Sequence, residues 1–209
     1  MRHLTTAVLA GALTAALLGF SLFAEAAALK PAQVGYCHGY GCALRSPVTI
    51  SAAELGRLDR IMAAGRSSAA AERAALGRAS QWFERLAGVQ TGTSGDVAKD
   101  MVTLFTPPGQ IDCVDEAQNS TTLLKLIAGQ GWLRHHDVGP IASRGVLVDL
   151  RWPHHTATLR ERRSGERYVL DSWVRANGEP PDIKLLSAWL NEGGLRGEGD
   201  APAARSVPR

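Results

Sequence analysis

The chain has 209 residues, with 23 Lys and Arg against 20 Asp and Glu, a formal charge of +3, and 45% hydrophobic residues. So small an excess, spread along the chain rather than gathered in a stripe, excludes the electrostatic footprint of a nucleic-acid binder. The length suits one domain with a core of its own and is too short for two.

Met1-Arg2-His3 supplies a short positive end, Ala7 to Phe23 an apolar run broken by Gly11, Thr14, Gly19 and Ser21, and Ala24-Glu25-Ala26 a small-residue cleavage pattern. Residues 1–26 therefore read as a signal peptide and the chain as exported, periplasmic or secreted. Cleavage leaves the charge unchanged, because Arg2 and Glu25 cancel. No later stretch is long and apolar enough to cross a bilayer, so no stable membrane insertion is expected afterwards. Residues 27–50 form an exported N-terminal segment with Cys37-His38-Gly39-Tyr40-Gly41-Cys42. In an oxidising compartment these two cysteines predict a small disulfide loop. The rival reading, half a metal site using His38, lacks a second pair of suitably spaced ligands.

A domain is expected over residues 51–192. Ser51-Ala52-Ala53-Glu54 has the form of a capping box and opens a helix to about Ala64, with Leu55, Leu58, Ile61 and Met62 on one face and Gly65 as its stop. A second helix is predicted from about Ser68 to Leu86, ended by Gly88, with Trp82 and Phe83 continuing its apolar stripe into the core. A small polar loop covers Thr91 to Asp96, and residues 97–105 make a short extended or helical link to the Pro107-Pro108-Gly109 turn. The third helix begins around Cys113, with Asp112, Asp115 and Glu116 at its acidic start, and Gly129 closes it.

From Trp132 onward the pattern turns to strands. Residues 145–150, 154–160 and 167–173 have β-branched or alternating character, and Ser164-Gly165 supplies a turn between the last two, which gives an antiparallel meander. Pro180-Pro181 is expected to end the sheet, Leu185 to Leu190 to form a short helix, and residues 193–209 to be a disordered tail. Helices followed by antiparallel strands indicate an α+β fold, and no internal repeat is present.

Cys113 is odd once Cys37 and Cys42 are paired, and an odd cysteine in an exported chain is an intermolecular link, a reactive thiol or an inert buried residue. At a helix N-terminus its thiolate faces unpaired N–H groups and the positive end of the macrodipole, which predicts a lowered pKa. On the strand at 154–160 side chains alternate faces, so only one of His154 and His155 can meet Cys113. A hairpin turning at Ser164-Gly165 sets residues near 154 opposite those just after Asp171, bringing a carboxylate within reach of the imidazole. Cysteine, histidine and aspartate then have the roles of nucleophile, base and orienting acid. For the oxyanion, the Cys113 N–H and the Gln110 amide are the candidate donors. His135-His136-Asp137 is read as surface, and with no carboxylate at ligand spacing neither metal nor cofactor is expected. Trp152 and Trp173 flank the strands that carry the histidine and the aspartate, as core residues or as walls of a groove.

The runs Asp112-Cys113-Val114-Asp115-Glu116, Pro153-His154-His155-Thr156-Ala157-Thr158-Leu159 and Tyr168-Val169-Leu170-Asp171-Ser172-Trp173 together resemble the transglutaminase-like cysteine peptidase superfamily, in particular an uncharacterised bacterial exported branch. The resemblance covers about residues 68–173 and rests on the ordered triple in its strand context. It implies a papain/transglutaminase-like core, with the Cys-bearing helix packed on an antiparallel sheet, and His154 as the base with His155 as the alternative. Some relatives have Gly or Trp beside the cysteine where this chain has Asp112, which either opposes the thiolate or caps the helix.

The expected function is an exported thiol-dependent amide-bond enzyme, a cysteine peptidase or acyl/amine transferase working through an acyl-enzyme on a peptide, protein or cell-wall amide. The alternative is a peptide- or protein-binding module that keeps the fold without the chemistry.

Overall fold

A computed structural model describes residues 29–101, 108–145 and 153–192. The signal-like residues 1–26, residues 102–107 of the link, residues 146–150 of the strand expected from Gly145, Trp152 and the tail at 193–209 lie outside the described residues. The described residues form an α+β fold in which every strand pair is antiparallel. Among them, no helix is long and apolar enough to cross a membrane.

The segment before the first helix is part of the fold. Strands β1 (Ala32–His38) and β2 (Leu44–Ile50) pair as a hairpin, and Cys37 and Cys42 form the expected disulfide at its closed end. Tyr36, Val48 and Ile50 are fully buried and join the main core, which includes Leu58, Leu76 and Phe83.

Helix α1 (Ala52–Ala63) starts where its capping box requires: Ser51 accepts from the Glu54 N–H, and Glu54 reaches back to the Ser51 N–H at 2.6 Å. Helix α2 (Ala69–Thr91) overruns its expected stop at Gly88 and ends at Gly92, whose φ of +79° is left-handed. Gly88 serves close approach instead: a Cβ there would lie 3.1 Å from the Cα and N of Ser94 on the returning chain. Helix α3 (Cys113–Gly129) runs as expected, and packs against both β1 and the larger sheet.

That sheet centres on β5 (His154–Glu161). On one side lies β6 (Arg167–Asp171), in the register Ala157 opposite Leu170, as the hairpin turning at Gly165 predicts. On the other side β3 (His136–Val138) and β4 (Ala142–Arg144) pair with successive parts of β5. Pro180-Pro181 does not end the sheet, because β7 (Asp182–Leu185) adds an outer strand to β6 before α4 (Leu186–Asn191). Proline lacks an N–H but can precede an edge strand, which is where these two stand.

The reading of His136 as a surface residue is corrected by its burial at 0% exposure. Its Nδ1 lies 2.9 Å from Glu72 Oε1, and Glu72 also accepts the N–H groups of Arg134, His135 and His136. Its Nε2 faces a donor, Arg73 Nη1, at 3.2 Å, so Nε2 accepts and Nδ1 carries the hydrogen given to Glu72. Burial works to raise the Glu72 pKa, but these donors prevail and hold it below the ordinary carboxylate value. The cluster ties α2 to the sheet.

Candidate active site

Cys113 is the first residue of α3, where Asp112 caps the helix by accepting from the N–H groups of Val114 and Asp115 at 3.0 and 2.9 Å. Asp115 accepts in return from the Asp112 N–H at 3.2 Å, completing a capping box. Of the two readings of Asp112, the cap is the one seen, and the charge still acts on the neighbouring thiol.

Cys113 is the free cysteine of the three, and only 7% exposed. Burial pushes its thiol from an ordinary 9.0 up to about 11; the charges of Asp112 and Asp171 add to the rise, and the N–H groups of His155 and of Cys113 itself offset part of it. The lowered pKa expected of a helix N-terminus is thus reversed. A helix end contributes about 0.3–1 kcal/mol to a nearby charge, whereas removing a thiolate from water costs more, and two nearby carboxylates add to that cost.

His154 and His155 point to opposite faces of β5, as alternation requires. His155 is partly exposed and its Nδ1 meets Ser143 Oγ at 2.7 Å. His154 is buried, with Nε2 lying 2.7 Å from Asp171 Oδ2. The hairpin register places the two side by side, since Ala157 opposite Leu170 brings the end of β6 back toward the start of β5. A carboxylate offers only lone pairs, so Nε2 carries the hydrogen and Nδ1 is left with an acceptor lone pair. That Nδ1 is buried and has no hydrogen-bond partner among the described residues.

The thiol rests on the backbone at both sides of this histidine. Cys113 Sγ lies 4.0 Å from the Pro153 carbonyl oxygen, and the His155 N–H is directed at the sulfur. Cys113 therefore packs against the backbone at the start of β5, beside the residue whose imidazole pairs with Asp171.

Gln110 is placed differently from the expectation. Its Oε1 accepts from the Val97 N–H at 2.9 Å and its Nε2 donates to the Gly95 carbonyl at 2.8 Å, so both ends of the amide are engaged by the loop at 95–97. The candidate oxyanion donor is corrected to an anchor for the chain entering α3. The Cys113 N–H remains the donor at hand.

Two tryptophans wall the imidazole. The ring of Trp173 stands 4.6 Å and that of Trp189 5.3 Å from the His154 ring, centre to centre. Trp189 Nε1–H also donates to Asp171 Oδ2 at 2.8 Å, the oxygen that His154 uses. Trp189 had no signal in the sequence beyond its place on a short apolar helix, because α4 reaches the site only through β7. Arg144, one strand over, stacks on the Trp189 ring at 4.3 Å and donates to its carbonyl and to Glu192.

Behind Asp171, Ser172 Oγ donates to Glu116 Oε2 at 2.5 Å and so accepts from Ser120 Oγ at 3.2 Å, joining the end of β6 to α3. Glu116 is held well above the ordinary carboxylate value, by burial first and then by the charge of Glu84. No group of three or more His, Cys, Asp or Glu among the described residues could hold a metal ion. Compared with known proteins, the chain matches no family model, no curated protein and no solved structure.

Proposed function

We propose that the chain is an exported thiol-dependent amide-bond enzyme of the transglutaminase-like cysteine peptidase kind. The observation that carries the reading is the His154–Asp171 pair at 2.7 Å with the other imidazole nitrogen buried, unpartnered and flanked by the backbone on which Cys113 packs. A thiol held near 11 is neutral at rest, so the chemistry is general-base attack rather than reaction of a preformed thiolate.

In this mechanism His154 Nδ1 takes the thiol proton as Sγ bonds to the carbonyl carbon of a peptide, protein or cell-wall amide. The oxyanion that forms is met by the Cys113 N–H. Asp171 holds the imidazolium. The same proton passes to the leaving amine as the C–N bond breaks, leaving a thioester on Cys113. Water hydrolyses the thioester, or a second amine takes the acyl group. The Cys37–Cys42 disulfide agrees with maturation in an oxidising compartment, which is the export suggested by residues 1–26.

The test is acylation of the protein by a p-nitrophenyl ester of an acylated amino acid, followed by mass spectrometry of the peptide containing Cys113. Acylation on Cys113 that is lost in Cys113→Ala and His154→Ala supports the reading. Acylation elsewhere, or on Cys113 at the same rate without His154, removes it. Adding a primary amine separates transfer from hydrolysis by the product formed.

The deep burial of the thiol favours a second reading, a peptide- or protein-binding module on the same fold. Such a module would bind peptide without forming a thioester, and its iodoacetamide reaction would be slow and indifferent to His154.

A further inference from the structure

The Cys37–Cys42 loop is hydrogen-bonded to the start of the Cys113 helix and, through Asp100, is linked to the tryptophan beside His154. Toward the nucleophile, the Tyr40 and Cys42 N–H groups donate to the two carboxylate oxygens of Asp115 at 2.9 and 2.7 Å, and the Gly41 N–H donates to Asp112 Oδ2 at 2.9 Å. The loop is shaped for this. Gly39, Tyr40, Gly41 and Cys42 all have φ between +59° and +81°, and successive left-handed residues turn their N–H groups toward one concavity. Two of the four are not glycine, a conformation that persists only where the surroundings enforce it, as a short disulfide ring does. One turn further along α3, Asn119 accepts from the Cys37 N–H at 2.6 Å and donates to its carbonyl at 2.9 Å.

Toward the base, Tyr40 Oη donates to Asp100 Oδ2 at 2.5 Å, and Trp173 Nε1–H donates to the Asp100 carbonyl at 2.9 Å. The Lys99 N–H closes the link on the Trp173 carbonyl at 2.8 Å. Trp173 is the ring packed against His154.

We infer that the oxidised Cys37–Cys42 loop is a positioning element, holding the Cys113 helix and the Trp173 wall of His154 in one register, so that reducing this disulfide uncouples the thiol from its base. The inference rests on the proposed function. Reduction is a two-electron exchange with a dithiol. A thiolate of the reductant attacks one sulfur, the S–S bond breaks, and a mixed disulfide forms. The second thiol of the reductant resolves it, leaving Cys37 and Cys42 as thiols and the reductant as a cyclic disulfide. Arg45 Nη2, 3.4 Å from each sulfur, favours the thiolate that leaves. An exported chain would thus have a competent site only after oxidation.

The test is a cycle of rates. Cys113 alkylation by iodoacetamide is followed at pH 8 by peptide mass spectrometry in the oxidised chain, in Cys37→Ala/Cys42→Ala, and in each combined with His154→Ala, with far-UV circular dichroism as the check on folding. In the oxidised chain His154→Ala should slow Cys113 at least tenfold. With the loop released, the same change should alter the rate less than twofold. An equal His154 dependence in both backgrounds overturns the inference, whereas no dependence in the oxidised chain overturns the proposed function instead. If the double variant does not fold, dithiothreitol-reduced wild type replaces it. A chain that unfolds on reduction as well assigns the loop to stability alone, which also overturns the inference.

Discussion

Trp189 and His154 are joined through a single oxygen: Asp171 Oδ2 accepts Trp189 Nε1–H at 2.8 Å and pairs with His154 Nε2 at 2.7 Å. The indole therefore fixes where the carboxylate sits, and the carboxylate fixes how the imidazole is turned. Trp189→Phe keeps the ring packing and removes the N–H. Under the proposed chemistry we expect acylation of Cys113 to fall by about tenfold, with a stability loss of about 1–2 kcal/mol for a buried acceptor deprived of a partner. Urea unfolding and single-turnover acylation measure the two effects separately, and unchanged acylation with the full stability loss would assign Trp189 to packing alone.

Gln110 gives the opposite pattern. With both ends of its amide bound to the loop at 95–97, Gln110→Ala should cost about 1–3 kcal/mol. Acylation of the folded variant should change less than threefold. A loss of about 10²-fold in acylation at unchanged stability is the signature of an oxyanion donor and would restore that role.

Gly109 stands between the turn and Gln110, with φ of +84° and a backbone so close that a Cβ would lie 2.3 Å from the Gly92 carbonyl oxygen. Neither the left-handed conformation nor the contact tolerates a side chain, and the neighbour is backbone that cannot turn aside. Gly109→Ala should destabilise by about 2–4 kcal/mol. A denaturant midpoint equal to that of the parent would show that this approach is looser than described.

Burial raises Glu84 to about 7, against hydrogen bonds from Gly178 and Ser80, and raises Asp96 to about 7 with help from the charges of Asp100 and Glu84. In the unfolded chain both titrate near 4. Between about pH 4 and 7 the folded state therefore holds protons that the unfolded state has lost, and stability falls as pH rises through that window. Glu72 and Asp182, which are lowered, act with the opposite sign and at more acid pH. We expect Tm at pH 5 to exceed Tm at pH 8 by about 5 °C, a difference that Glu84→Gln reduces. A Tm that rises from pH 5 to pH 8 would contradict this.

Much of the scaffold was legible locally. The capping box at Ser51 and Glu54 and the left-handed turn at Gly165 involve neighbours a few residues apart, so their outcome is written in short runs of sequence. The turn also sets the register that brings Asp171 back to His154, and strand alternation separates His154 from His155, which is why this contact could be read in advance. The disulfide belongs with them, its cysteines being five positions apart.

What the tertiary structure alone decided was environment. The thiol of Cys113 rises rather than falls because burial outweighs its own helix end, helped by the charge of neighbouring Asp112 and then by that of distant Asp171. His136 is buried because Glu72, 64 positions away, supplies its partner, and Gln110 is spent on a loop that folds back from α2. Trp189 reaches Asp171 only because β7 adds to the sheet edge. Backbone geometry and periodicity act over a few residues and can be read along the chain; desolvation, charge and hydrogen-bond satisfaction depend on which distant segments pack together, and exist only once they have.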